Sequence, residues 1–322
     1  MKKADICHAA KQIVDGELVV FPTETVYGIG ADATNNEACL KIFAAKKRPS
    51  INPLIVHMSS LNEAQKIAIF EKDAKILANL WPAPITLVLP LRKEHNIAKS
   101  VTSGLSTIAI RVPSNHVALD LIKKAGCPIA APSANLSGKL TSTTKAQAQE
   151  YFENQICILG DDNSCEIGLE STILDLTSND PVILRQGFFT KELLEKQLKK
   201  TIKIATKHSK IKAPGMMLKH YAPKTNIRLN ALDIKDHELA LNFGSTDLKP
   251  SFSLNLSSEG DLNEAARNLY KYLHILDLHA QKNHYKTIAI APIPNRGIGV
   301  AINDRIIKAS NTEPRIQNSP AC

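Results

Sequence analysis

Short apolar runs alternate with helical segments in this sequence, and their order limits the possible folds. Between residue 1 and about residue 195, apolar runs alternate with segments rich in Ala and Lys. This alternation predicts a mixed α/β sheet covered by helices. The runs are Leu18 to Phe21, Leu54 to His57, Thr86 to Pro90, Thr107 to Val112, Ile129 to Ala131, Ile156 to Leu159, Thr172 to Leu176 and Val182 to Arg185.

A linker is predicted where the composition changes near residue 196. The Lys-rich stretch Lys199 to Lys212 has few apolar anchors and leads into the proline-bracketed segment Ala213 to Pro223. Basic and proline-rich stretches of this kind are typical of connections between domains. We therefore predict a linker, and a candidate lid, over residues 196–230.

A second and smaller α/β domain is predicted after the linker. It contains an amphipathic helix (Glu264 to Leu276), a strand (Thr287 to Ala291) and a closing helix (Val300 to Ala309). The length of 322 residues also exceeds what one hydrophobic core usually supports. The predicted organisation is a large α/β domain over 1–195, the linker over 196–230 and a small domain over 231–322.

The charge balance predicts anionic partners. The chain has 40 Lys and Arg against 31 Asp and Glu, a net charge of +9. Such an excess suits nucleotides, RNA or an acidic membrane surface. Aromatic residues are only 5% of the chain and are not interleaved with basic stretches, which disfavours a stacking platform for single-stranded RNA.

The sequence predicts a cytoplasmic protein without a metal site of its own. Met1 and two lysines are followed by polar residues and not by an apolar signal segment, and no apolar run is long enough to cross a membrane. The six cysteines are scattered without a CxxC pair, and the histidines lack zinc-binding spacing. No serine lies in a GxSxG elbow, so a Ser-His-Asp triad is also disfavoured.

Two segments in the first domain predict a phosphate-binding site. The strand that ends at Phe21 opens into a hydroxyl-rich turn bounded by Gly28-Ile-Gly30, which we interpret as a tight turn. Further on, Lys46 and Arg48 precede an apolar strand that ends at His57. Cations at such ends suit anionic ligands, although a solvated helix C-terminus would explain the same lysines.

Three other strand ends carry polar groups whose role stays open at this point. Ala131-Pro-Ser-Ala-Asn135 offers a hydroxyl and an amide that would either bind phosphate or cap the next helix. Arg111 ends a strand and would either form a structural ion pair or hold a carboxylate. Glu170-Ser171-Thr172 and Arg185 are similarly ambiguous.

Together these segments resemble the threonylcarbamoyl-adenylate synthases, the YrdC-like family, in its long two-domain form. The motifs that carry the resemblance span nearly the whole chain. They are Pro22-Thr-Glu-Thr-Val-Tyr-Gly28, Lys46-Lys-Arg-Pro49, Asn52-Pro-Leu-Ile-Val-His57, Pro132-Ser-Ala-Asn-Leu-Ser-Gly138, Gly168-Leu-Glu-Ser-Thr172, Leu184-Arg-Gln-Gly187, Pro214-Gly-Met216, His220-Tyr-Ala-Pro223 and Asn295-Arg-Gly-Ile-Gly-Val-Ala-Ile-Asn-Asp-Arg305.

The resemblance implies a nucleotidyltransferase that condenses L-threonine, CO2 or bicarbonate and ATP into threonylcarbamoyl-AMP and pyrophosphate. It implies a twisted sheet around a deep basic cavity, a smaller Rossmann-like second domain, and Mg2+ carried with ATP. The product would pass to a separate tRNA threonylcarbamoyl transferase. Weak RNA binding is a further expectation, and no membrane partner is expected.

The resemblance also implies roles for particular residues, and none of them is a covalent nucleophile. Lys46 and Arg48 would stabilise developing charge during catalysis. The residues that match the threonine-binding positions are Thr25, His57, Arg111, Ala131 and Ser171. The residues that match the ATP-binding positions are Lys46, Arg48, Asn52, Thr107, Ser133, Asn135, Thr141, Arg185 and Tyr221, the last reaching back from the linker.

One departure from the family pattern and two alternative functions accompany this expectation. Met217 and Leu218 stand where long-form members often carry basic and aromatic residues, which would weaken contacts between lid and phosphate. A non-catalytic module that binds double-stranded RNA through a basic surface is the first alternative. An enzyme that uses carbamoyl phosphate is the second, although the chain shows no additional acylphosphatase or zinc-finger region.

Overall fold

A computed structural model of the chain describes residues 3–152, 156–161, 163–206, 213–214 and 221–310. The helices are α1 (Lys3–Val14), α2 (Asn36–Lys46), α3 (Leu61–Ile67), α4 (Lys72–Ala78), α5 (Lys99–Thr102), α6 (His116–Ala125), α7 (Lys145–Phe152), α8 (Lys191–Leu198), α9 (Leu262–Asn283) and α10 (Gly299–Ala309). The strands are β1 (Val19–Phe21), β2 (Gly28–Asp32), β3 (Ile55–His57), β4 (Ile85–Pro90), β5 (Thr107–Arg111), β6 (Ile129–Ala130), β7 (Cys157–Ile158), β8 (Thr172–Asp175), β9 (Val182–Arg185), β10 (Lys203–Ile204), β11 (Asn226–Arg228), β12 (Glu238–Asn242), β13 (Ser253–Asn255) and β14 (Thr287–Ile290).

The first part of the chain forms one large twisted sheet of ten strands, in the order β10-β9-β8-β4-β5-β3-β6-β2-β1-β7. Its pairings are mixed, since β3 and β5 run parallel whereas β4 and β5, or β8 and β9, run antiparallel. The central strands β3, β4 and β5 are buried except at one end residue each of β4 and β5, which explains why they read as continuous apolar runs in the sequence. The prediction of a mixed α/β sheet is confirmed.

Helix α6 shows how local sequence signals produce the layer that covers this sheet. The Asn115 side chain accepts hydrogen bonds from the first turn, and Gly126 ends the helix in the left-handed conformation at φ +68°. Its apolar face, including Val117 and Leu121, packs with α1 in one hydrophobic cluster against β1 and β6. Helices α1 and α6 thereby cover one face of the sheet whose strand ends form the site.

The second part of the chain forms a separate sheet of four parallel strands, in the order β11-β14-β12-β13. Helices α9 and α10 pack on it in a hydrophobic cluster that also includes Val26, Leu140 and Leu169 of the first part of the chain. A second α/β domain is therefore present, and α9 extends beyond both predicted ends. The chain passes from the first sheet to the second between Ile204 and Asn226, while the exact limits of 195 and 230 stay a prediction.

The interpretation of Gly28-Ile-Gly30 as a tight turn is wrong. Both glycines lie in β2, where Gly28 pairs with Phe21 and Gly30 with Val19. A Cβ on Gly30 would stand 2.6 Å from Phe21 Cε1 and 2.7 Å from Ile129 Cγ2. Glycine is needed at position 30 because the side chains of Phe21 and Ile129 cross over the strand there. The sequence alone does not distinguish a glycine needed for such a close approach from a glycine in a turn.

No helix in the described ranges is long and apolar enough to cross a membrane.

Candidate active site

A pocket opens where the ends of β3, β5 and β9 approach the beginnings of β2 and β8. It encloses about 500 Å3 of space between atoms, including its open mouth. Strand ends are common ligand sites in α/β folds because the loops there can supply polar groups. The lining residues are Thr23, Thr25, Val26, Tyr27, Gly28, Arg48, Ile55, His57, Arg111, Ala131, Pro132, Ser133, Glu170, Ser171, Arg185, Pro214 and Tyr221.

The structure brings most of the sequence-predicted site residues together. All five residues assigned to threonine line the pocket, and so do Arg48, Ser133, Arg185 and Tyr221 from the ATP set. The other members of the ATP set are not lining residues: Lys46, Asn52, Thr107, Asn135 and Thr141. The roles of the individual residues stay predictions.

Arg111 is held at the pocket by the segment that follows β1. Its Nη1 donates to Thr25 Oγ1 at 3.1 Å and lies 3.6 Å from Glu24 Oε1. Thr23 Oγ1 shares a 2.7 Å hydrogen bond with Thr25 Oγ1. Arg111 Nε is buried and makes no hydrogen bond within the described part of the chain. An unpaired buried guanidinium nitrogen is costly, so the site favours an anionic ligand at this position.

His57 lies beside Arg111 because the two residues are directly paired across β3 and β5. The ring is 3% exposed and meets the edge of Phe21. Burial, together with the positive charge of Arg111, holds the pKa of His57 well below its usual range. Its Nδ1 is buried without a hydrogen-bond partner among the described residues. A neutral imidazole here can exchange a hydrogen bond with a polar ligand.

Lys46 is not a solvated helix end, as the alternative interpretation would require. It is the last residue of α2 and only 2% exposed. Its Nζ donates to the backbone carbonyls of Ser133 and Asn135. Burial, and then the charge of Arg48, lower the pKa of Lys46 well below its usual range. Lys46 therefore fastens α2 to the loop that follows β6.

The segment Ala131 to Asn135 does not cap a helix, because the next helix along the chain begins only at Lys145. Instead, Asn135 Nδ2 donates to the carbonyls of Leu136 and Lys139, at 2.8 and 2.9 Å. Its Oδ1 accepts from Ser133 Oγ at 2.5 Å. The buried amide thus shapes a turn that presents Ser133 to the pocket.

Two further arginines are fixed by backbone carbonyls at the same pocket. Arg48 donates to the carbonyls of Asn52 and Pro53, at 3.3 and 3.1 Å. Arg185 donates to the carbonyl of Ser171 at 3.0 Å and to its Oγ at 3.1 Å. Burial lowers the pKa of Arg48 to about 10, and the charge of Arg185 acts in the same direction. These two cations therefore favour negative charge between them.

Sequence reasoning gave no role to three charged residues that hold the pocket together: Glu24, Glu170 and Arg305. Glu170 lines the pocket, and Arg305 Nε donates to its Oε2 at 2.9 Å. Burial alone would raise the pKa of Glu170, but the charges of Arg305 and Arg185 outweigh it and lower that pKa to about 2. All three lie within the matched motifs, but only their contacts reveal what they do.

Tyr221 lies at the pocket, as expected for a residue that reaches back from the linker. It is 1% exposed, has φ +66°, and lines the pocket with Pro214. The following backbone amide, of Ala222, donates to Gly138 O at 2.8 Å. Met217 and Leu218, and the weaker lid contacts expected from them, lie outside the described residues.

The described side chains contain no cluster of three or more His, Cys, Asp or Glu that could hold a metal ion. Glu170 is the carboxylate at the pocket wall. Arg305, Thr141 and Tyr270 all donate to it.

Comparison with known protein families finds two matching models. One, described as "Telomere recombination" and covering the Sua5, YciO and YrdC proteins, matches residues 11–187. The other, described as "Threonylcarbamoyl-AMP synthase, C-terminal domain", matches residues 189–311. Between them they span both sheets of the structure.

Individual proteins are similar over almost the whole chain. A threonylcarbamoyl-AMP synthase of Pyrococcus abyssi is 38% identical, over 94% of this chain and 93% of its own. One of Bacillus subtilis is 34% identical, over 95% and 92% respectively. The crystal structure of P. abyssi Sua5 complexed with L-threonine superposes with a TM-score of 0.86 at 35% identity, covering 96% of this chain and 95% of that one.

Proposed function

The chain belongs to the threonylcarbamoyl-AMP synthase family, and we propose that its pocket condenses L-threonine, CO2 or bicarbonate and ATP into threonylcarbamoyl-AMP and pyrophosphate. It is thus an enzyme of the nucleotidyltransferase type that acts in tRNA modification. The product of such an enzyme is an activated carbamoyl group, which a separate transferase would then move to tRNA. Family membership also removes the reason to favour a non-catalytic RNA-binding module.

The single observation that carries this proposal is the incomplete hydrogen bonding of the buried Arg111 side chain. It is a buried cation at the pocket wall, oriented by Thr25 and Glu24, with one guanidinium nitrogen still without a hydrogen bond inside the described chain. The carboxylate of an amino acid would complete it with a charge-assisted hydrogen bond. His57 and Ser171 lie on the same wall and would bind the polar groups of threonine.

The nucleotide would lie on the side of the pocket that carries Arg48, Arg185, Ser133 and Tyr221. Two buried arginines and a hydroxyl there suit the charge of a triphosphate. Three residues of the ATP set would act indirectly, by shaping the loops that carry the lining residues Arg48 and Ser133. They are Lys46, Asn52 and Asn135. These contacts support the expectation of a basic cavity, and we extend the proposal to Thr107 and Thr141 as peripheral nucleotide positions.

The reaction needs positioning and charge stabilisation and no enzyme nucleophile. The unprotonated amine of threonine adds to CO2 and loses a proton, which gives a carbamate. A carbamate oxygen then attacks the α-phosphorus of ATP as pyrophosphate leaves in line. Catalysis of such displacements comes mainly from holding the reactants in line and from cations near the developing charge. Arg48 and Arg185 would supply that charge here, with Lys46 holding the adjoining loop.

Mg2+ would enter with ATP. Among the described residues that line the pocket, the carboxylate is that of Glu170, and it is already paired with Arg305. The phosphates and water would therefore provide its ligands. Bound in this way, Mg2+ would offset phosphate charge.

The carbamate and the mixed anhydride both hydrolyse in water, so the pocket must be covered during turnover. Tyr221 and Pro214 already line it from the linker side. We propose that the linker serves as a lid over the nucleotide and that the packed Tyr221 ring anchors it at the pocket.

The proposal is tested by incubating the purified protein with ATP, Mg2+, bicarbonate and L-threonine. Pyrophosphate release is followed, and threonylcarbamoyl-AMP is identified by mass spectrometry. L-Serine is the control, because it differs from threonine by a single methyl group. Product that depends on threonine supports the proposal, whereas the absence of product across a range of pH and salt would refute it.

A further inference from the structure

We propose that Arg305, which belongs to the second domain, is a positioning residue for the nucleotide half of the active site, and that it acts through Glu170 and Gln186. This inference rests on the proposed function and assigns the second domain a part in it. Arg305 itself is not among the residues that line the pocket. Its effect must therefore pass through residues that do.

The guanidinium of Arg305 is fully engaged and buried. It is 1% exposed, although it lies on α10 and not in the first sheet. Its Nε donates to Glu170 Oε2 at 2.9 Å and its Nη2 to Gln186 O at 2.8 Å. The remaining nitrogen, Nη1, donates to Asp304 Oδ2 at 2.6 Å. A single planar cation thus joins two separate segments of the first domain.

Those two segments lie side by side where β8 begins and β9 ends. Glu170 immediately precedes Ser171, and Gln186 immediately follows Arg185. Ser171 and Arg185 both line the pocket and are bonded to each other. Arg305 therefore grips the residues next to these two lining side chains and sets the separation of the strands that carry them.

The same cation also reaches the linker. The guanidinium carbon of Arg305 lies 5.5 Å from the centre of the Tyr221 ring, within the range of a cation–π contact. Tyr221 in turn packs against Tyr270 of α9, whose hydroxyl donates to Glu170 at 3.2 Å. Glu170 also accepts from Thr141 at 3.3 Å. Three residues predicted to bind the nucleotide therefore contact Arg305 itself or one of the residues bonded to it: Tyr221, Thr141 and Arg185.

Tight backbone packing makes the network sensitive to small changes. A Cβ on Gly187 would stand 2.5 Å from Glu170 O and from Thr172 N. A Cβ on Gly168 would stand 2.6 Å from Ala266 O in α9. The segment from Gly168 to Thr172 is thus enclosed between the two domains. A shift of Arg305 cannot be absorbed locally and would be passed to Arg185.

A merely structural ion pair would behave differently from a positioning residue. Replacing both partners of a buried pair with uncharged groups is often neutral for stability, whereas removing one partner is costly. Stability should therefore recover in a double variant that lacks both charges. Nucleotide binding should not recover in that variant. The methionine at position 305 cannot donate the hydrogen bonds that hold positions 170 and 186 at their present separation.

The experiment compares the full-length parent with Arg305→Met, Arg305→Lys, Glu170→Gln and the double variant Glu170→Gln/Arg305→Met. Steady-state kinetics give KM for ATP and for threonine, calorimetry with a non-hydrolysable ATP analogue gives Kd, and thermal unfolding gives Tm. We expect about a tenfold rise in ATP KM and analogue Kd in all four variants, because small misplacements of binding groups have effects of this size. Threonine KM should rise less than ATP KM, because Ser171 is the threonine-side residue that this network touches whereas Arg111 and His57 lie outside it. The double variant should recover Tm without recovering ATP affinity.

Arg228→Met is the matched control. Arg228 also belongs to the second domain and is also paired with a glutamate, Glu238, but it lies outside the pocket contacts. It should leave both KM values unchanged. An ATP Kd within about threefold of the parent in a folded Arg305 variant, or recovery of that Kd in the double variant, would overturn the inference. Arg305→Lys and the double variant decide the question if Arg305→Met does not fold.

A failure of the proposed function remains distinguishable from a failure of this inference. A parent protein that makes no threonylcarbamoyl-AMP would refute the function. A parent that makes the product while its Arg305 variants bind ATP normally would refute only the positioning role.

Discussion

Arg111 and His57 show how a few atoms define what the pocket can bind. They are adjacent because β3 and β5 pair in register, and each keeps one buried polar atom without a hydrogen-bond partner in the described structure. Burial also keeps His57 neutral, by lowering its pKa. The wall thus combines a fixed cation with a neutral group. Such a wall suits a zwitterionic amino acid, whose carboxylate and polar side chain need different partners.

Replacement of Arg111 tests this assignment. Arg111→Ala should raise the KM for threonine by at least about tenfold, because the substrate carboxylate loses a charge-assisted hydrogen bond. The KM for ATP should change by less than about threefold, since the nucleotide side retains Arg48 and Arg185. Both values come from initial rates of pyrophosphate release. Arg92→Ala, which alters an exposed arginine on the same domain, is the control. A selective loss of ATP binding would reverse the assignment.

Among the elements, the segment before β8 is the most tightly constrained. Gly168 has φ +73° and lies against the backbone of α9. Gly104 has a similar φ, +77°, but no atom lies within 4 Å of where its Cβ would be. The two glycines therefore separate the cost of a left-handed backbone from the cost of steric overlap.

Alanine substitutions at these two glycines should differ accordingly. Gly104→Ala should lower the free energy of unfolding by about 1 kcal/mol, the cost of a left-handed alanine. Gly168→Ala should lower it by about 2 kcal/mol more, because α9 must move away from the first domain. Chemical denaturation of both variants measures the difference. Equal destabilisation would show that the interface at α9 yields easily.

The linker is the second element whose role can be tested. Tyr221→Ala should raise the KM for ATP more than Tyr221→Phe does, because the aromatic ring, and not the hydroxyl, would cover the nucleotide. The ring contacts with Tyr270 and Arg305 survive in the phenylalanine variant. ATP titrations at saturating threonine supply the comparison. Unimpaired kinetics in both variants would remove the lid hypothesis.

For the whole molecule, the important fact is that the two domains share a buried ion pair at the active site. Glu170 comes from the first domain and Arg305 from the second, and neither side chain is more than 6% exposed. His274 and Glu150 form another contact between the domains, at 2.9 Å. The catalytic domain is thus completed by the second domain and is not simply attached to it.

This pair predicts how stability depends on pH. The folded-state pKa of Glu170 is lowered from 4.5 to about 2. Its contribution is therefore fully present above pH 4.5 and is lost as the pH falls towards 2. For one such group the loss amounts to about 3 kcal/mol. Urea unfolding of the parent and of Glu170→Gln between pH 6 and pH 3 should give a shallower pH dependence for the variant. Parallel curves would contradict this account.

Local sequence patterns were enough to predict the mixed α/β fold, the second domain, the family, and many of the residues around the pocket. This was possible because these features depend on local patterns. Apolar runs mark buried strands, and short motifs such as Pro22 to Gly28 contain both a strand end and its polar groups. Thr25, His57, Arg111, Ala131 and Ser171 all lie on the pocket wall, while their binding of threonine stays a prediction.

Contacts between distant segments could not be predicted from the sequence and became visible in the folded chain. Gly30 is needed because the Phe21 ring crosses over β2. Lys46 donates to a backbone carbonyl almost 90 residues away, and Arg305 pairs with Glu170 in the other domain. The sequence does not show these relations, because a charge or a glycine looks the same whatever it meets after folding. The free energy of a buried charge or a close approach is set by its surroundings, and those exist only once both sheets have formed.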